Sequence, residues 1–180
     1  TPALFGEMVF GDYDSPTVAN ERLDISGPGL HRVGLTIDNP SEETLRLRVD
    51  VTVGGRKTWG QDVRAMPGKT DVLATIRIPG EGVHKVQIAV TDRTRREVIF
   101  RTPVIRINVP KHLSRLKTYR KAWAGMRADS GVTRAEKAAV GAEIAAIEAY
   151  SGGKAVGNES WAKLGGMLDA VELKLNHLRY

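Results

Sequence analysis

Apolar and polar residues alternate without a break along Leu45–Val53, where Leu45, Leu47, Val49, Val51 and Val53 are separated by Arg46, Arg48, Asp50 and Thr52. Side chains of an extended strand point alternately to opposite faces, so this stretch predicts a strand with one face buried and the other wet. Such a strand needs partners beside it and a second layer over its apolar face. The same rhythm recurs on both sides. Val33, Leu35 and Ile37 alternate up to the turn signal Asn39-Pro40, and Gly54-Gly55 suits a tight hairpin. A weaker strand covers 57–65, with Trp59 and Val63 on one face. Val72, Ala74, Ile76 and Ile78 follow the Met66–Lys69 turn, Val86, Ile88 and Val90 follow Pro79–Gly82, and Val98–Phe100 and Val104–Val109 close the series before Pro110. Strands at intervals of about 10–12 residues with turn chemistry between them are the pattern of an all-β sandwich. Residues 1–30 are less regular: Leu4-Phe5 and Met8–Phe10 fit a short strand, Asp12–Pro16 a turn, and Leu23–Ile25 a brief edge strand.

After Pro110 the period changes from two to between three and four. Leu116, Tyr119, Trp123 and Met126 form one helical stripe, ended by Asp129-Ser130-Gly131. Thr133-Arg134-Ala135-Glu136 is a capping box that opens a second, alanine-rich helix with Val140, Ile144 and Ile147 on one side and a break at Ser151-Gly152-Gly153. A third helix carries Trp161, Leu164, Leu168, Val171, Leu175 and Leu178. Three helices joined by short loops predict a small antiparallel bundle. The expected organisation is therefore a sandwich over 1–110 followed by a three-helix bundle or spacer over 111–180.

The 180 residues are 41% hydrophobic, 27% charged and 6% aromatic, ordinary for a globular chain apart from the scarcity of rings for stacking sugars or bases. No apolar run approaches the ~20 residues of a membrane span, and the chain carries no recognisable targeting segment. The start at Thr1-Pro2-Ala3-Leu4 and the stripe running almost to Tyr180 read as the ends of a mature product or of a piece of something longer. With no cysteine there is no disulfide, thiolate metal site or cysteine nucleophile. The net charge of +6 is concentrated after Pro110, where 12 Lys and Arg face 7 Asp and Glu.

Candidate chemistry is sparse. Pro67-Gly68-Lys69-Thr70 resembles the end of a phosphate loop, but Val63 stands where that motif needs glycine, and a strand follows; it reads as a hairpin turn. His31, His84, His112 and His177 have no i, i+3 or i+4 relation and read as surface or loop residues, so no zinc site is expected. Asp12 and Asp14 offer too few oxygens for calcium. Acidic residues such as Asp50, Asp62 and Glu97 fall on polar strand faces or at turns, and no Gly-x-Ser-x-Gly elbow occurs. No catalytic, cofactor or metal residue is nominated. Lys111, Arg115, Lys117, Arg120, Lys121 and Arg127 make an acid-free basic helix, either an anion- or nucleic-acid-binding face or a solvated face complementing Glu136, Glu143 and Glu148 of the next helix. The second reading is favoured, as it is for Arg93, Arg95 and Arg96 beside their turn, and nucleic acid is not the expected partner. Trp59 and Tyr13 are the candidates for stacking on sugar. Asn158-Glu159-Ser160 matches a glycosylation sequon at a helix start.

Taken together, Val33–Pro40, Leu45–Val53, the Pro67-Gly68 turn, Val72–Ile78, Gly82 and Val86–Asp92 resemble the immunoglobulin-like modules strung along large secreted bacterial proteins. The resemblance covers 27–109, and helices after such a sandwich look like the spacers of multidomain carbohydrate-active enzymes. It implies a non-catalytic accessory module that positions neighbouring domains of the same polypeptide in a secreted or periplasmic protein, with polysaccharide as a further partner. It transfers no catalytic residue. The alternatives are an anion- or nucleic-acid-binding module using 111–127 and a carbohydrate-binding sandwich.

Overall fold

The computed structural model describes residues 15–127, 133–153 and 155–179. Its element order is β1 (Thr17–Asn20), β2 (Gly29–Asn39), β3 (Leu45–Val53), β4 (Arg56–Ala65), β5 (Gly68–Ile78), β6 (Gly82–Asp92), β7 (Glu97–Arg101), β8 (Ile105–Val109), then α1 (His112–Ala124), α2 (Arg134–Gly153) and α3 (Asn158–Arg179). The change of period at Pro110 is thus the change from strand to helix. The chain divides into two compact units. One comprises Thr1–Asp24, Leu30–Ile78 and His84–Ile107; the other comprises Ile25–Gly29, Pro79–Val83 and Asn108–Tyr180.

The first unit holds two antiparallel sheets, in the orders β1-β2-β5 and β4-β3-β6-β7, with β8 also pairing β6. The strand with the cleanest alternation, β3, lies between β4 and β6. It opposes Leu47 to Val63 of β4, and Val49 to Val90, Val51 to Ile88 and Val53 to Val86 of β6, so apolar side chains meet across both seams on the inner side. Val49, Val51, Ile88, Val90, Ile37 and Ile76 are fully buried, and β5 of one sheet packs on β3 and β4 of the other. Gly54 and Gly55, at φ 59° and 79°, make the tight hairpin that joins β3 to β4. Pro103 interrupts the strand paired to β6, and Thr102 covers the gap. Its Oγ1 accepts from the Ile88 N–H at 3.0 Å and its carbonyl accepts from Gln87 Nε2 at 2.9 Å.

Two details near the start differ from the sequence reading. Leu23–Ile25 is not a strand; the edge strand is Thr17–Asn20, paired with Leu35–Asp38. Glu21 ends that ladder. Its N–H donates to the Gly34 carbonyl at 2.9 Å, and its carboxylate then bends back to accept from the Gly34 N–H at 3.0 Å. The expected strand and turn over 4–16 lie outside the described residues except at Ser15 and Pro16.

In the second unit the three helices pack on one another through Leu116 of α1, Val140, Ile144 and Ile147 of α2, and Trp161, Leu164, Leu168, Val171 and Leu175 of α3, all buried. The capping box is present: the Glu136 N–H donates to Thr133 Oγ1 at 3.1 Å, and the Thr133 N–H donates to Glu136 Oε2 at 3.0 Å. α1 ends at Ala124, before Met126, and α2 ends at Gly153, the last residue of the expected Ser151-Gly152-Gly153 break. Ser151 Oγ donates to the Glu148 carbonyl at 2.9 Å, so the hydroxyl serves the last turn of α2.

The two short segments that belong to this unit are held by specific polar contacts. Asn158 Oδ1 accepts from the N–H groups of Ser26 at 2.8 Å and Gly27 at 3.1 Å, and the Gly157 N–H donates to the Pro28 carbonyl at 2.7 Å. A Cβ on Gly27 would lie 2.3 Å from the Gly157 carbonyl oxygen, an approach only glycine permits. Glu81 caps α1 from a distance: its carboxylate accepts from the Leu113 N–H at 2.8 Å and from Ser114 Oγ. Trp161 Nε1 donates to the Pro110 carbonyl at 2.9 Å.

Leu168→Asp, which puts a carboxylate where none can be solvated, is expected to unfold the helical unit, with helical circular dichroism lost and strand signal kept. Gly27→Ala should lower stability by ~1–3 kcal/mol in urea titrations, because the clash is with backbone and cannot be relieved by a rotamer change.

Candidate functional site

The outward side chains of β3 and β4 form a chain of ion pairs. Arg48 Nε lies 3.2 Å from Asp50 Oδ1 and its guanidinium 3.4 Å from Asp62; Lys57 Nζ reaches Asp50 at 3.2 Å, and Arg93 reaches Asp62 at 2.7 Å. The register explains the grouping. Arg48 stands opposite Asp62, and Gly60 stands opposite Asp50. A Cβ on Gly60 would lie 2.5 Å from the Arg48 guanidinium, so glycine makes room for the Arg48–Asp50 contact. The Arg93 contact holds the Asp62 carboxyl below the usual carboxylate range, with Arg48 acting in the same direction. Beside this chain, at the end of the sheet, a groove of about 800 Å³ is lined by Arg46, Asp62, Val63, Arg64, Arg93 and Thr94.

The basic residues of α1 are dispersed by their contacts. Arg115 reaches Asp169 at 2.6 Å and Glu172 at 3.3 Å on α3, and also donates to Tyr119 Oη at 3.2 Å. The contact with Asp169 raises its pKa above the ordinary guanidinium value. Arg120 pairs with Glu148 of α2 at 2.8 Å. Of the acids expected to complement this helix, Glu143 instead pairs with Lys174 of α3, and Glu136 serves the capping box. Lys111, Lys117, Lys121 and Arg127 are exposed, and only Lys117 and Lys121 are helical neighbours.

Trp59 is half-buried, opposite Val51 and so on the core-facing side of β4. Tyr13 lies outside the described residues. Among the described residues no group of three or more His, Asp or Glu could hold a metal, and no helix is long and apolar enough to cross a membrane.

One histidine departs from the surface reading. His112 is buried at the start of α1, its ring 5.3 Å from that of Trp161. It fits there because Gly165 has no side chain; a Cβ would meet the imidazole at 2.8 Å. His112 Nδ1 is buried with no hydrogen-bond partner, and burial pushes the imidazole pKa down, helped by Arg115 and opposed by Asp169 and Glu81. His112 stands four residues before Leu116, the spacing of one helical face, and this is the first sequence signal of its burial. The further signal was a buried-stripe helix with glycine at 165, which costs ~1 kcal/mol unless something fills the notch.

No family model matches the chain, and no curated protein matches it. Solved structures resemble part of it. The chain is 15% identical to a candidate β-galactosidase from Bacteroides fragilis over 53% of this chain and 16% of the other, at a TM-score of 0.38. It is 16% identical to a CARDB domain from Pyrococcus furiosus, solved with two metal ions, over 54% and 96%, also at 0.38. A β-glucuronidase of glycoside hydrolase family 2 is 16% identical over 53% and 11%, at 0.36. The chain thus spans a small fraction of the two enzymes and nearly all of the CARDB domain.

Because the fold holds His112 neutral, stability should be full above the unfolded value of about 6.5 and fall as the pH drops below it toward the depressed folded value. Urea unfolding followed by helical circular dichroism at pH 7.5 and 5.5 checks this, and His112→Leu is expected to lose most of the difference. Glu81→Ala, which uncaps α1, should lower stability by ~1 kcal/mol in the same titrations.

Proposed function

We propose that this chain is a non-catalytic accessory module of a larger exported protein, with an immunoglobulin-like sandwich and a helical spacer that hold neighbouring domains in position. The observation that carries this reading is where the ionisable side chains go. Arg48, Asp50, Lys57, Asp62 and Arg93 are joined laterally over strands, and Arg115, Arg120 and Lys174 bridge helices to Asp169, Glu148 and Glu143. A glycoside hydrolase acting by two carboxyl groups needs them facing across a cleft, one protonated as general acid and the other ionised as base or nucleophile. Here Asp50 is bound by Arg48 and Lys57, and Asp62 by Arg93 and Arg48, whose contacts hold the Asp62 carboxyl below the usual carboxylate range, the condition of a brace rather than of a general acid. The remote cap from Glu81 and the Asn158 contacts with Ser26 and Gly27 add to the same end: they fix chain segments far apart in sequence.

The reading is tested in the product of the full reading frame. Excising residues 15–179 should leave the turnover of a neighbouring catalytic domain on a small soluble substrate within about twofold, while lowering its activity on polymer or its yield of folded protein. Loss of small-substrate turnover from a neighbour that remains folded would overturn it. So would hydrolysis of chromogenic glycosides by the isolated chain that disappears in Asp50→Asn or Asp62→Asn.

A further inference from the structure

The groove at the end of the β4-β3-β6 sheet has a charge arrangement that the ion-pair chain does not account for. Arg46 and Arg64 are direct cross-strand partners, both exposed. Like charges in that relation repel across Cβ atoms about 5 Å apart, a cost normally removed by substituting one of them or adding an acid between them. Neither arginine is among the ion pairs of the described residues. A third guanidinium is brought to the same place. The Arg93 N–H donates to the Arg46 carbonyl at 2.9 Å, and the Arg93 side chain reaches over to Asp62, two residues before Arg64. The turn that carries Arg93 is rigid: buried Asp92 accepts from the Thr94 N–H at 2.9 Å and the Arg95 N–H at 3.2 Å, and Arg96 takes φ 56°. Two guanidinium forks without partners and a third held in place, all on one groove, form a ready donor array for an oxyanion, whose coplanar oxygens match a guanidinium edge.

We propose that Arg46, Arg64 and Arg93 form a receptor for a single oxyanion group, a phosphate, sulfate or carboxylate carried by a small solute or an acidic sugar. A nucleic-acid backbone is a poorer match. The three arginines line one groove and are its only cations among the described residues, so the successive phosphates of a polymer would meet no further positive charge along it. The site uses no residue of the basic helix and stands whether or not the accessory role does.

Isothermal titration and arginine Nε–H chemical shifts of the whole chain, at low chloride, test the receptor with sodium sulfate, inorganic phosphate and glucuronate, and with duplex DNA as the polymeric arm. Saturable binding with a dissociation constant on the order of 1 mM is expected, the strength of two or three charge-assisted hydrogen bonds in water. Which small anion binds tightest separates a free inorganic ion from an acidic sugar. Arg46→Ser with Arg64→Ser should weaken it at least tenfold, while Lys117→Ser with Lys121→Ser leaves it unchanged. The arginine variants should melt no lower than the parent without anion, since they remove a repulsive pair, so a loss of binding will not be a loss of fold. No saturable binding of any small anion, binding indifferent to the two arginines, or retention of DNA alone would each overturn the proposal.

Discussion

The sandwich depends on removing one row of side chains on β3 from water while the opposite row stays in it. Leu47, Val49, Val51 and Val53 are buried, and their neighbours Arg46, Arg48, Asp50 and Thr52 remain in contact with solvent. At roughly 25 cal/mol for each Å² of apolar surface, each buried valine or leucine contributes about 1.5–3 kcal/mol, far more than any of the exposed ion pairs. A shift of register by one residue would exchange the two rows, so the pairing of β3 with β4 and β6 is specified by the apolar pattern itself. The ion pairs are therefore a consequence of that register: Arg48 meets Asp62 in the same β3–β4 pairing that sets Leu47 against Val63 on the other face.

Much of this was legible before any coordinates. β3 has the predicted boundaries, the Gly54-Gly55 hairpin and the Thr133–Glu136 capping box are formed, and the apolar stripe of α3 is buried from Trp161 to Leu175. These features are local, set by side-chain period or by residues within three or four positions of one another. What sequence reading missed is non-local. Nothing near Glu81 shows that it will cap a helix 32 residues away, and nothing near Asn158 shows that it will hold Ser26 across 132 residues. Leu23–Ile25 has strand composition, yet the ladder ends at Glu21 because that carboxylate takes the Gly34 amide itself.

The candidate site was less legible than the fold for a related reason. The Lys111–Arg127 run looks like one basic surface when its charges are counted along the chain. In space Arg115 and Arg120 lean to different helices and neutralise different acids. The arginines of the sheet show the reverse. Arg46, Arg64 and Arg93 are far apart in sequence and become neighbours only through the β3–β4 register and the turn after β6. Charge density along a chain is a guide to helices, where neighbours are local, and a poor one to sheets.

Among the described residues β4 is the outer strand of its sheet, and one side of its backbone has no partner strand among them. It carries Arg56, Lys57, Asp62 and Arg64, and its register with β3 shifts between Val51 and Thr52. An unpaired strand border invites another chain to zip onto it, and charged side chains together with a local irregularity are how that invitation is withdrawn. A border guarded in this way disfavours the stacking of one copy's sheet onto another's through β4 when the chain is crowded at high expression or on a shared surface.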